Sequence, residues 1–247
     1  MDNEELDNNM VEALGAMEYA PKYHQWILDD FSKYIGKNII EVGSGPGSIS
    51  KKLIEYNPEK LFCIEPSKMI FDKLKITIEK IKIETKDKIK ITPLNNFLSD
   101  SADNLQNEDI DTIIYINVLE HIEDDLGELK IMNNTLSDSG HILIFVPALQ
   151  WIYGAHDKNC GHFRRYYKKD LKQKIEEAGF EIVSIKYFDF LGILPWWFTF
   201  RVLKIKYLKN GQSQIYDKLV VPITRFIEKL IPPRAGKNLI VIAKKIK

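Results

Sequence analysis

Apolar runs alternate with amphipathic stretches along most of the chain. Runs typical of buried strands lie at 38–42, 60–65, 88–92, 110–116, 140–146, 180–188 and 239–243. Helix-like stretches lie at 19–34, 47–57, 67–82, 96–106, 122–136 and 168–178. Alternation of this kind predicts an α/β fold in which a parallel sheet carries helices on both faces.

The stretch 190–237 interrupts this order, since connections in such sheets are usually about 2–6 residues long. It holds an aromatic cluster with Trp196 and Trp197, then basic residues, and then a helix-like stretch at 215–230. Two compatible interpretations are a helical insertion packed on the sheet, and a cap over the carboxyl edge of the sheet whose aromatic and basic face rests on a membrane surface. We therefore predict a core of residues 1–189 and 238–247 and a cap of residues 190–237, and we expect the core not to depend on the cap.

Three glycines follow the first predicted strand, at Gly43, Gly45 and Gly47. They lie at a strand-to-helix turn, where free helix N–H groups and missing Cβ atoms let a ligand approach the main chain. A dinucleotide-binding turn has the pattern G-x-G-x-x-G. Ser48 occupies the position of its third glycine here, so the spacing argues against a dinucleotide oxidoreductase.

Polar residues follow the other predicted strands at the same edge of the sheet, where ligands of open α/β sheets bind. Glu65 ends the second strand, about twenty residues after the glycine turn, where an acid can accept hydrogen bonds from ribose hydroxyls. Asn95, Asn96 and Phe97 follow the third strand and suit the edge and face of an adenine, although Asn-Asn before a helix is also an ordinary cap.

Composition excludes several classes of protein. The 35 basic and 35 acidic residues cancel, which argues against a nucleic-acid partner held by bulk charge. Cys63 and Cys160 are isolated, so they predict neither a disulfide framework nor a metal cluster, and they favour a reducing cytoplasm. The acidic start, MDNEELDNN, is not a secretion signal, and no apolar run reaches the roughly 20 residues needed to cross a bilayer.

The motifs EVGSGPG at 41–47 and INVLEHI at 116–122, together with Glu65, resemble those of the class I S-adenosylmethionine-dependent methyltransferases. In that family the turn holds the methionine part of the cofactor and its ribose rather than a pyrophosphate, which suits the altered glycine spacing. The resemblance covers roughly residues 20–190 and the closing strand, and it implies a Rossmann-like seven-stranded sheet with a helical insertion before the last strand. It also implies that S-adenosylmethionine contacts Tyr23, Trp26, Glu41, Gly43, Ser44, Gly45, Gly47, Glu65, Pro66, Asn96, Phe97, Asn117 and Val118.

The loop after the fifth strand is similar to that of a bacterial methyltransferase group whose genes often accompany surface-polysaccharide glycosyltransferases. The shared D…GH.RRY pattern is matched by Asp157, Gly161, His162, Arg164, Arg165 and Tyr166. The segment LGILPWW and the first predicted helix, with Tyr23, Trp26 and Ile27, are similar too. The chain departs from the group at 139–141, where Ser-Gly-His replaces Pro-Gly-Gly, and at 95–96, where Asn-Asn replaces Gly-Asp.

Methyl transfer to a hydroxyl is helped by a base, for which histidine suits neutral pH. The predicted catalytic residues are His162, His121 and Asp157, with His24 and His156 as weaker candidates. The predicted substrate-binding residues are Arg164, Arg165, Tyr166, Trp196 and Trp197. Structural alternatives are that His121 caps a helix or packs under the loop, and that Asp157 forms a loop-fixing ion pair with Arg164 or Arg165. The arginines could also bind a phosphate or carboxylate of the substrate.

The sequence thus predicts a cytoplasmic methyltransferase that uses S-adenosylmethionine, without a metal, on a hydroxyl of a small molecule or of a glycan-type or lipid-linked intermediate. The alternatives are a non-catalytic module that binds the cofactor or a partner, and an N- or C-methyltransferase of a secondary metabolite. Enzymes that methylate exposed bases or amides commonly carry an Asn/Asp-Pro-Pro-Tyr/Phe motif after the fourth strand. The chain has Asn117-Val-Leu-Glu there, which disfavours that chemistry.

Overall fold

A computed structural model describes residues 20–207 and 210–246. The acidic start of the chain and Tyr19, the first residue of the first predicted helix, lie outside these ranges. The described strands form one sheet in the order β3-β2-β1-β4-β5-β7-β6. Their bounds are β1 Asn38–Val42, β2 Lys60–Ile64, β3 Lys90–Leu94, β4 Thr112–Ile116, β5 His141–Pro147, β6 Phe180–Phe188 and β7 Asn238–Lys245. The predicted seven-stranded Rossmann-like sheet is confirmed.

Strands β1 to β5 are parallel, and β7 is inserted antiparallel between β5 and β6. The described α-helices are α1 Pro21–Phe31, α2 Ser50–Leu53, α3 Lys68–Thr85, α4 Leu98–Leu105, α5 Asp125–Thr135, α6 Ala155–Asn159, α7 Lys168–Glu177, α8 Ile193–Trp196, α9 Asn210–Ile215 and α10 Val221–Leu230. The strand order reverses between β1 and β4. At such a point the connections leave the two strands on opposite faces of the sheet, and this opens a crevice at the carboxyl ends of both strands.

Each face of the sheet has its own apolar core. Helices α1 and α3 pack on one face with Phe31, Leu74 and Ile78, while α5 and α7 pack on the other with Leu129 and Leu171. Because both faces are covered, the central strands are apolar on both sides, which explains the continuous apolar runs in the sequence.

The loop between β5 and α7 is more ordered than the sequence indicates. It contains a 3-10 turn at Gln150–Ile152 and the short helix α6, and Ala148 forms a parallel bridge with Tyr166. These contacts return the chain to the carboxyl end of β5, so the loop that carries the D…GH.RRY motif lies at the carboxyl edge of the sheet.

The segment between β6 and β7 is helical, as predicted, but it is tied to the core. The carboxylate of Asp217 accepts the backbone N–H groups of Lys22 at 3.2 Å and Tyr23 at 2.8 Å, and so caps α1, which has no side-chain cap of its own. Val221 is buried in the apolar cluster that contains α1. These contacts join the cap to α1, and the expectation that the core sheet does not depend on the cap stays a prediction.

Candidate functional site

The glycine turn joins β1 to α2 with a backbone that L side chains rarely adopt. Gly43, Gly45 and Gly47 have φ values of 67°, 55° and 93°. A Cβ at Gly43 would lie 2.3 Å from Cγ2 of Val118, so the turn and the end of β4 could not approach each other with any larger residue. The bare backbone thus brings β1 and β4 together at the floor of the crevice.

Glu65 fastens the second strand end to this turn. One carboxylate oxygen accepts the N–H of Gly45 at 3.0 Å, and the other accepts the N–H of Ser67 at 2.9 Å. The carboxylate also lines the cavity at this edge of the sheet. Glu65 thus lies where the sequence predicts the ribose acceptor, and its role there stays a prediction.

Glu41 lies buried beneath the same turn. Burial raises the pKa of Glu41 to about 7, although hydrogen bonds from Ser50 and Ser44 oppose the shift and the nearby Glu65 adds to it. The hydroxyl of Ser50 donates to the Glu41 carboxylate. A cationic group placed above the turn would favour the ionised carboxylate.

Asn96 and Phe97 line the crevice beyond β3, next to Pro66. The side-chain oxygen of Asn96 is buried and, among the described residues, has no hydrogen-bond partner. Asn95 instead holds the loop, because its side-chain amide donates to the carbonyls of Glu65 and Pro66 at 2.9 and 3.0 Å. The orphaned oxygen and the exposed ring of Phe97 fit the edge and face of a purine.

A single cavity of about 610 Å³ runs from the glycine turn to the loop after β5. At one end it is lined by the turn, Glu65, Asn96 and Phe97, and at the other by His121, His156, His162, Arg165 and Trp196. The predicted cofactor residues Tyr23, Glu41, Gly43, Ser44, Gly45, Pro66, Asn117 and Val118 also line it. The structure thus brings most predicted cofactor residues and three predicted loop residues into one space.

Asp157 lies behind His162 and orients it. Its carboxylate accepts Nδ1–H of His162 at 2.9 Å and pairs with Arg165 at 3.0 Å. Burial alone would raise the pKa of Asp157, but the hydrogen bond from His162 and the charge of Arg165 outweigh burial and lower the pKa to about 2. With Nδ1 occupied, the imidazole directs Nε2 away from Asp157 and towards Glu120.

Glu120 and His121 lie on the 3-10 turn Leu119–His121, opposite His162. The Glu120 side chain is 0% exposed, and neither of its carboxylate oxygens has a hydrogen-bond partner of acceptable geometry among the described residues. Burial raises the pKa of Glu120 to about 7, while His162 and the residue's own amide oppose the shift. Burial also lowers the pKa of His121 to about 3.

The cap contributes Trp196 and Lys237 to the cavity. The indole Nε1–H of Trp196 is buried and has no acceptor among the described residues. The Lys237 ammonium pairs with buried Asp189 at 2.9 Å, and the Asp189 carboxylate also accepts the hydroxyl of Tyr23 at 3.0 Å. This network joins α1, β6 and β7 at the rim of the cavity.

Six predicted site residues do not line the cavity. Trp26 stacks on Phe188 in the core, with ring centroids 3.8 Å apart. The others are Gly47, Asp157, Arg164, Tyr166 and Trp197. Arg164 pairs with Asp125 at 2.9 Å and donates to two backbone carbonyls, and the hydroxyl of Tyr166 donates to Asp125 at 3.0 Å.

Arg165 reaches the cavity but is held on every side. Its Nε–H donates to the carbonyl of Ala148, one terminal N–H group pairs with Asp157, and the other donates to the carbonyl of Lys237. Its guanidinium also lies 5.1 Å from the ring of Trp196. These contacts are typical of a structural arginine. They include the ion pair with Asp157 that the sequence analysis offered as the structural alternative.

Glu120 and Lys237 line the cavity but were not among the site residues predicted from the sequence. Glu120 could have been found, because it adjoins His121 in a motif that follows β4. Lys237 gave no signal, since a lysine just before the last strand reads as a solvated residue. Lys237 reaches the cavity because the cap brings the chain back to the start of β7 at the carboxyl edge of the sheet.

The residues at the turn fit the predicted S-adenosylmethionine. A glycine turn lets a ligand approach the main chain closely, the Glu65 carboxylate lies beside it, and the side-chain oxygen of Asn96, which has no partner among the described residues, could accept a purine amino group.

A comparison with protein families matches residues 18–185 to the methyltransferase domain family. A search of curated proteins finds no significant match. Among solved structures, an S-adenosylmethionine-dependent methyltransferase from Archaeoglobus fulgidus is 15% identical, with a TM-score of 0.56 over 88% of this chain and 91% of its own.

Two further structures are similar at still lower identity. One from Mesorhizobium loti is 13% identical, with a TM-score of 0.56 over 86% of this chain and 93% of its own. One from Clostridium acetobutylicum is 9% identical, with a TM-score of 0.57 over 92% of each chain. Both are described as S-adenosylmethionine-dependent methyltransferases, and at these identities the likeness establishes the fold alone.

Proposed function

The chain belongs to the methyltransferase domain family, and we propose that it transfers a methyl group from S-adenosylmethionine to a hydroxyl of a glycan-type or lipid-linked acceptor. One observation supports this most directly. The same cavity of about 610 Å³ contains the glycine turn with Glu65 at one end and His162, backed by Asp157, at the other. A cofactor and an acceptor held in this space could meet with water excluded.

The cofactor end of the cavity would bind through backbone and carboxylate groups. When bound, S-adenosylmethionine supplies a methyl group already activated by its positively charged sulfur. The glycine turn admits the methionine part, Glu65 accepts ribose hydroxyls, and Asn96 and Phe97 hold the purine. These residues bind and orient, and none of them needs to take part in proton transfer.

The acceptor end has polar groups that lack partners within the described residues. Nε1–H of Trp196 is an unpaired donor, and the carboxylate of Glu120 is an unpaired acceptor. A hydroxyl both donates and accepts hydrogen bonds, so an acceptor rich in hydroxyls would satisfy both groups. This pairing favours a sugar-like acceptor over a purely apolar one.

His162 is the proposed base. Asp157 accepts from Nδ1–H, so the neutral imidazole carries its lone pair on Nε2, where it can accept the proton of an acceptor hydroxyl. His121 is less suited, because it already forms a hydrogen bond to the backbone of Cys160 and its pKa is lowered to about 3. Arg165 and Asp157 would position His162 without touching the acceptor.

The cap favours a lipid-linked form of the acceptor. None of the described helices is long and apolar enough to cross a membrane. However, Ile215, Leu219, Ile223, Phe226 and Leu230 are all exposed, and their spacing of three or four residues places them on one face of the helical stretch α9–α10. Lys218 and Lys229 lie exposed on the same stretch. An apolar face with flanking lysines is typical of helices that lie on anionic lipid surfaces.

The test has two parts, which separate catalysis from binding alone. Isothermal titration would measure S-adenosylmethionine affinity, and release of S-adenosylhomocysteine would measure transfer to polyprenyl-linked sugars, free sugars and amines. The proposal expects binding and turnover with hydroxyl acceptors. Binding without turnover on any acceptor would favour the non-catalytic module, and turnover only on amines would favour N-methylation.

A further inference from the structure

Three potential metal ligands meet at the acceptor end of the cavity. The ligand atoms of Glu120, His121 and His162 all lie within 4.8 Å of one another. Nε2 of His162 is 4.0 Å from Oε1 of Glu120, and the two imidazole rings are perpendicular with centroids 4.6 Å apart. The ligand atoms of a tetrahedral ion with bonds of about 2.0–2.1 Å lie about 3.3–3.4 Å apart. Small side-chain movements would therefore bring these three ligand atoms to the distances that such an ion requires.

The Glu120 carboxylate gives an independent reason to expect a ligand. It is 0% exposed, it lines the cavity, and neither oxygen has a hydrogen-bond partner among the described residues. A buried carboxylate left in this state is costly, and buried charges in proteins are normally paired or coordinate metals. Among the described residues, Arg165 is bound to Asp157 rather than to Glu120, and Nε2 of His162 lies 4.0 Å from Oε1 of Glu120.

The two histidines are supported as metal-ligating histidines usually are, by a second hydrogen bond from each ring. Nδ1–H of His162 donates to Asp157 at 2.9 Å, which leaves Nε2 for a metal. His121 forms its hydrogen bond to the Cys160 backbone, which leaves its other nitrogen free. The backbone N–H of Phe163 donates to the carbonyl of Glu120 at 2.9 Å and ties the two ligand segments together.

We propose that Glu120, His121 and His162 bind one divalent transition-metal ion of the zinc type, with an open coordination position that faces the acceptor end of the cavity. Two imidazoles and one carboxylate suit Zn²⁺ rather than Mg²⁺, which prefers oxygen ligands. Three protein ligands with a free fourth position are the usual form of a catalytic zinc site. From the sequence no metal was predicted, because the two cysteines are isolated and His162 follows His121 by 41 residues.

This inference rests on the proposed function for its use. In the metal-bound protein, Nε2 of His162 would hold the ion, and the ion would lower the pKa of an acceptor hydroxyl at the open position, whose proton would pass to solvent. In the metal-free protein, the same nitrogen would act as the base described under the proposed function. Metal binding itself does not require methyl transfer, and the two claims can be tested apart.

The experiment measures binding of Zn²⁺, Co²⁺ and Mg²⁺ to the full chain after chelator treatment and removal of the chelator. We expect one equivalent of Zn²⁺ by titration calorimetry and elemental analysis, visible absorption from bound Co²⁺, and much weaker binding of Mg²⁺. Glu120→Gln and His162→Gln should each weaken Zn²⁺ binding by at least roughly tenfold, and Asp157→Asn by roughly 10–100-fold.

Matched controls lie in the same cavity. Glu128→Gln removes a carboxylate that is hydrogen-bonded by Tyr115, and His156→Gln removes an imidazole whose Nδ1 is 2.9 Å from the carbonyl of Lys206. Both should keep Zn²⁺ affinity. Failure of the wild-type protein to bind Zn²⁺, or equal binding by folded Glu120→Gln and Asp157→Asn variants, would overturn the site.

S-adenosylmethionine affinity and turnover, measured on the same samples, keep the two proposals distinct. Turnover that is undiminished by complete metal removal would reject a part for the ion in the reaction and leave the methyltransferase proposal standing. Stoichiometric Zn²⁺ binding without turnover on any acceptor would support the metal site and reject the proposed methyl transfer.

Discussion

At the scale of single residues, Glu65 holds the most informative position in the cofactor end of the cavity. Its carboxylate binds the backbone of both the glycine turn and the segment after β2. We expect Glu65→Ala to weaken S-adenosylmethionine binding by about 1.5–3 kcal/mol, the range for hydrogen bonds to a charged group. Titration calorimetry checks this. The affinity of Glu65→Gln, which keeps one acceptor oxygen, should fall between those of the wild-type protein and Glu65→Ala. Unchanged affinity in folded Glu65→Ala would remove Glu65 from the site.

Variants of His162 and Asp157 test the proposed chemistry at the acceptor end of the cavity. We expect His162→Ala to lower turnover by roughly a hundredfold or more, with little change in cofactor affinity, because Nε2 of His162 is lost both as a base and as a ligand of the proposed ion. Asp157→Asn should lower turnover as well, because Nδ1–H of His162 loses its anionic acceptor and the tautomer is no longer fixed. Steady-state kinetics with a hydroxyl acceptor checks both variants. A raised Michaelis constant with unchanged kcat would instead assign these residues to acceptor binding.

Glu41 predicts a pH dependence of stability that can be measured without a substrate. Its pKa is raised from 4.5 to about 7 by burial, so between these values the folded protein holds a proton that the unfolded chain has lost. Stability contributed by the protonated group is therefore complete below pH 4.5 and is lost as pH rises towards 7. Relative to Glu41→Gln, the wild-type protein should lose up to about 3 kcal/mol of unfolding free energy across this window. Urea unfolding at pH 5 and 8 checks it, and a constant difference between the two proteins would contradict the shift.

The residues show where sequence reasoning succeeds at a site of this kind. The glycine turn, Glu65 and His162 were predictable, because each is tied to a strand end or to a local motif. Arg164 and Tyr166 belong to the same motif, but their side chains turn to Asp125 on α5, outside the cavity. Neighbouring positions in a loop point in different directions, and only the tertiary contacts decide which of them face a ligand.

At the scale of elements, α1 links the cap to the cavity. The side chain of Tyr23 lines the cavity, and its backbone N–H donates to the carboxylate of Asp217 in the cap. Loss of a helix N-cap costs about 0.5–2 kcal/mol, so we expect Asp217→Ala to lower the unfolding free energy by this amount and to weaken cofactor binding through the frayed helix. Thermal or urea unfolding and titration calorimetry check the two effects. Asp217→Asn keeps an acceptor and should retain most of the stability.

The strands were predicted to within about two residues because their apolar runs are continuous, whereas the cap was predicted only as helical. Its attachment could not be read from the sequence. Asp217 and Tyr23 are 194 positions apart, and a single buried carboxylate in a helix gives no local sign of the N–H groups it will meet. The helix α6 was missed for a related reason, since five residues are too few to show an apolar period.

At the scale of the whole molecule, the cap has two opposite faces. Ser213, Asp217, Val221 and Thr224 are buried towards α1, while Ile215, Leu219, Ile223, Phe226 and Leu230 are exposed. An apolar stripe of this length is unusual on a free protein surface and marks an interaction site. The exposed lysines beside it favour an anionic lipid surface as the partner.

We expect the full chain to bind vesicles that contain anionic lipid, and to bind neutral vesicles less, in a flotation assay. Ile223→Asp together with Phe226→Asp should reduce binding at least about tenfold, because burial of each large apolar side chain contributes about 1.5–3 kcal/mol. Ile76→Asp with Ile83→Asp is the matched control, since these isoleucines are exposed on α3 away from the cap. Cofactor affinity should be the same in all three proteins. Equal loss of vesicle binding in the control pair, or none in the cap pair, would show that the stripe does not meet the lipid, and an acceptor presented at a membrane would then lose its structural support.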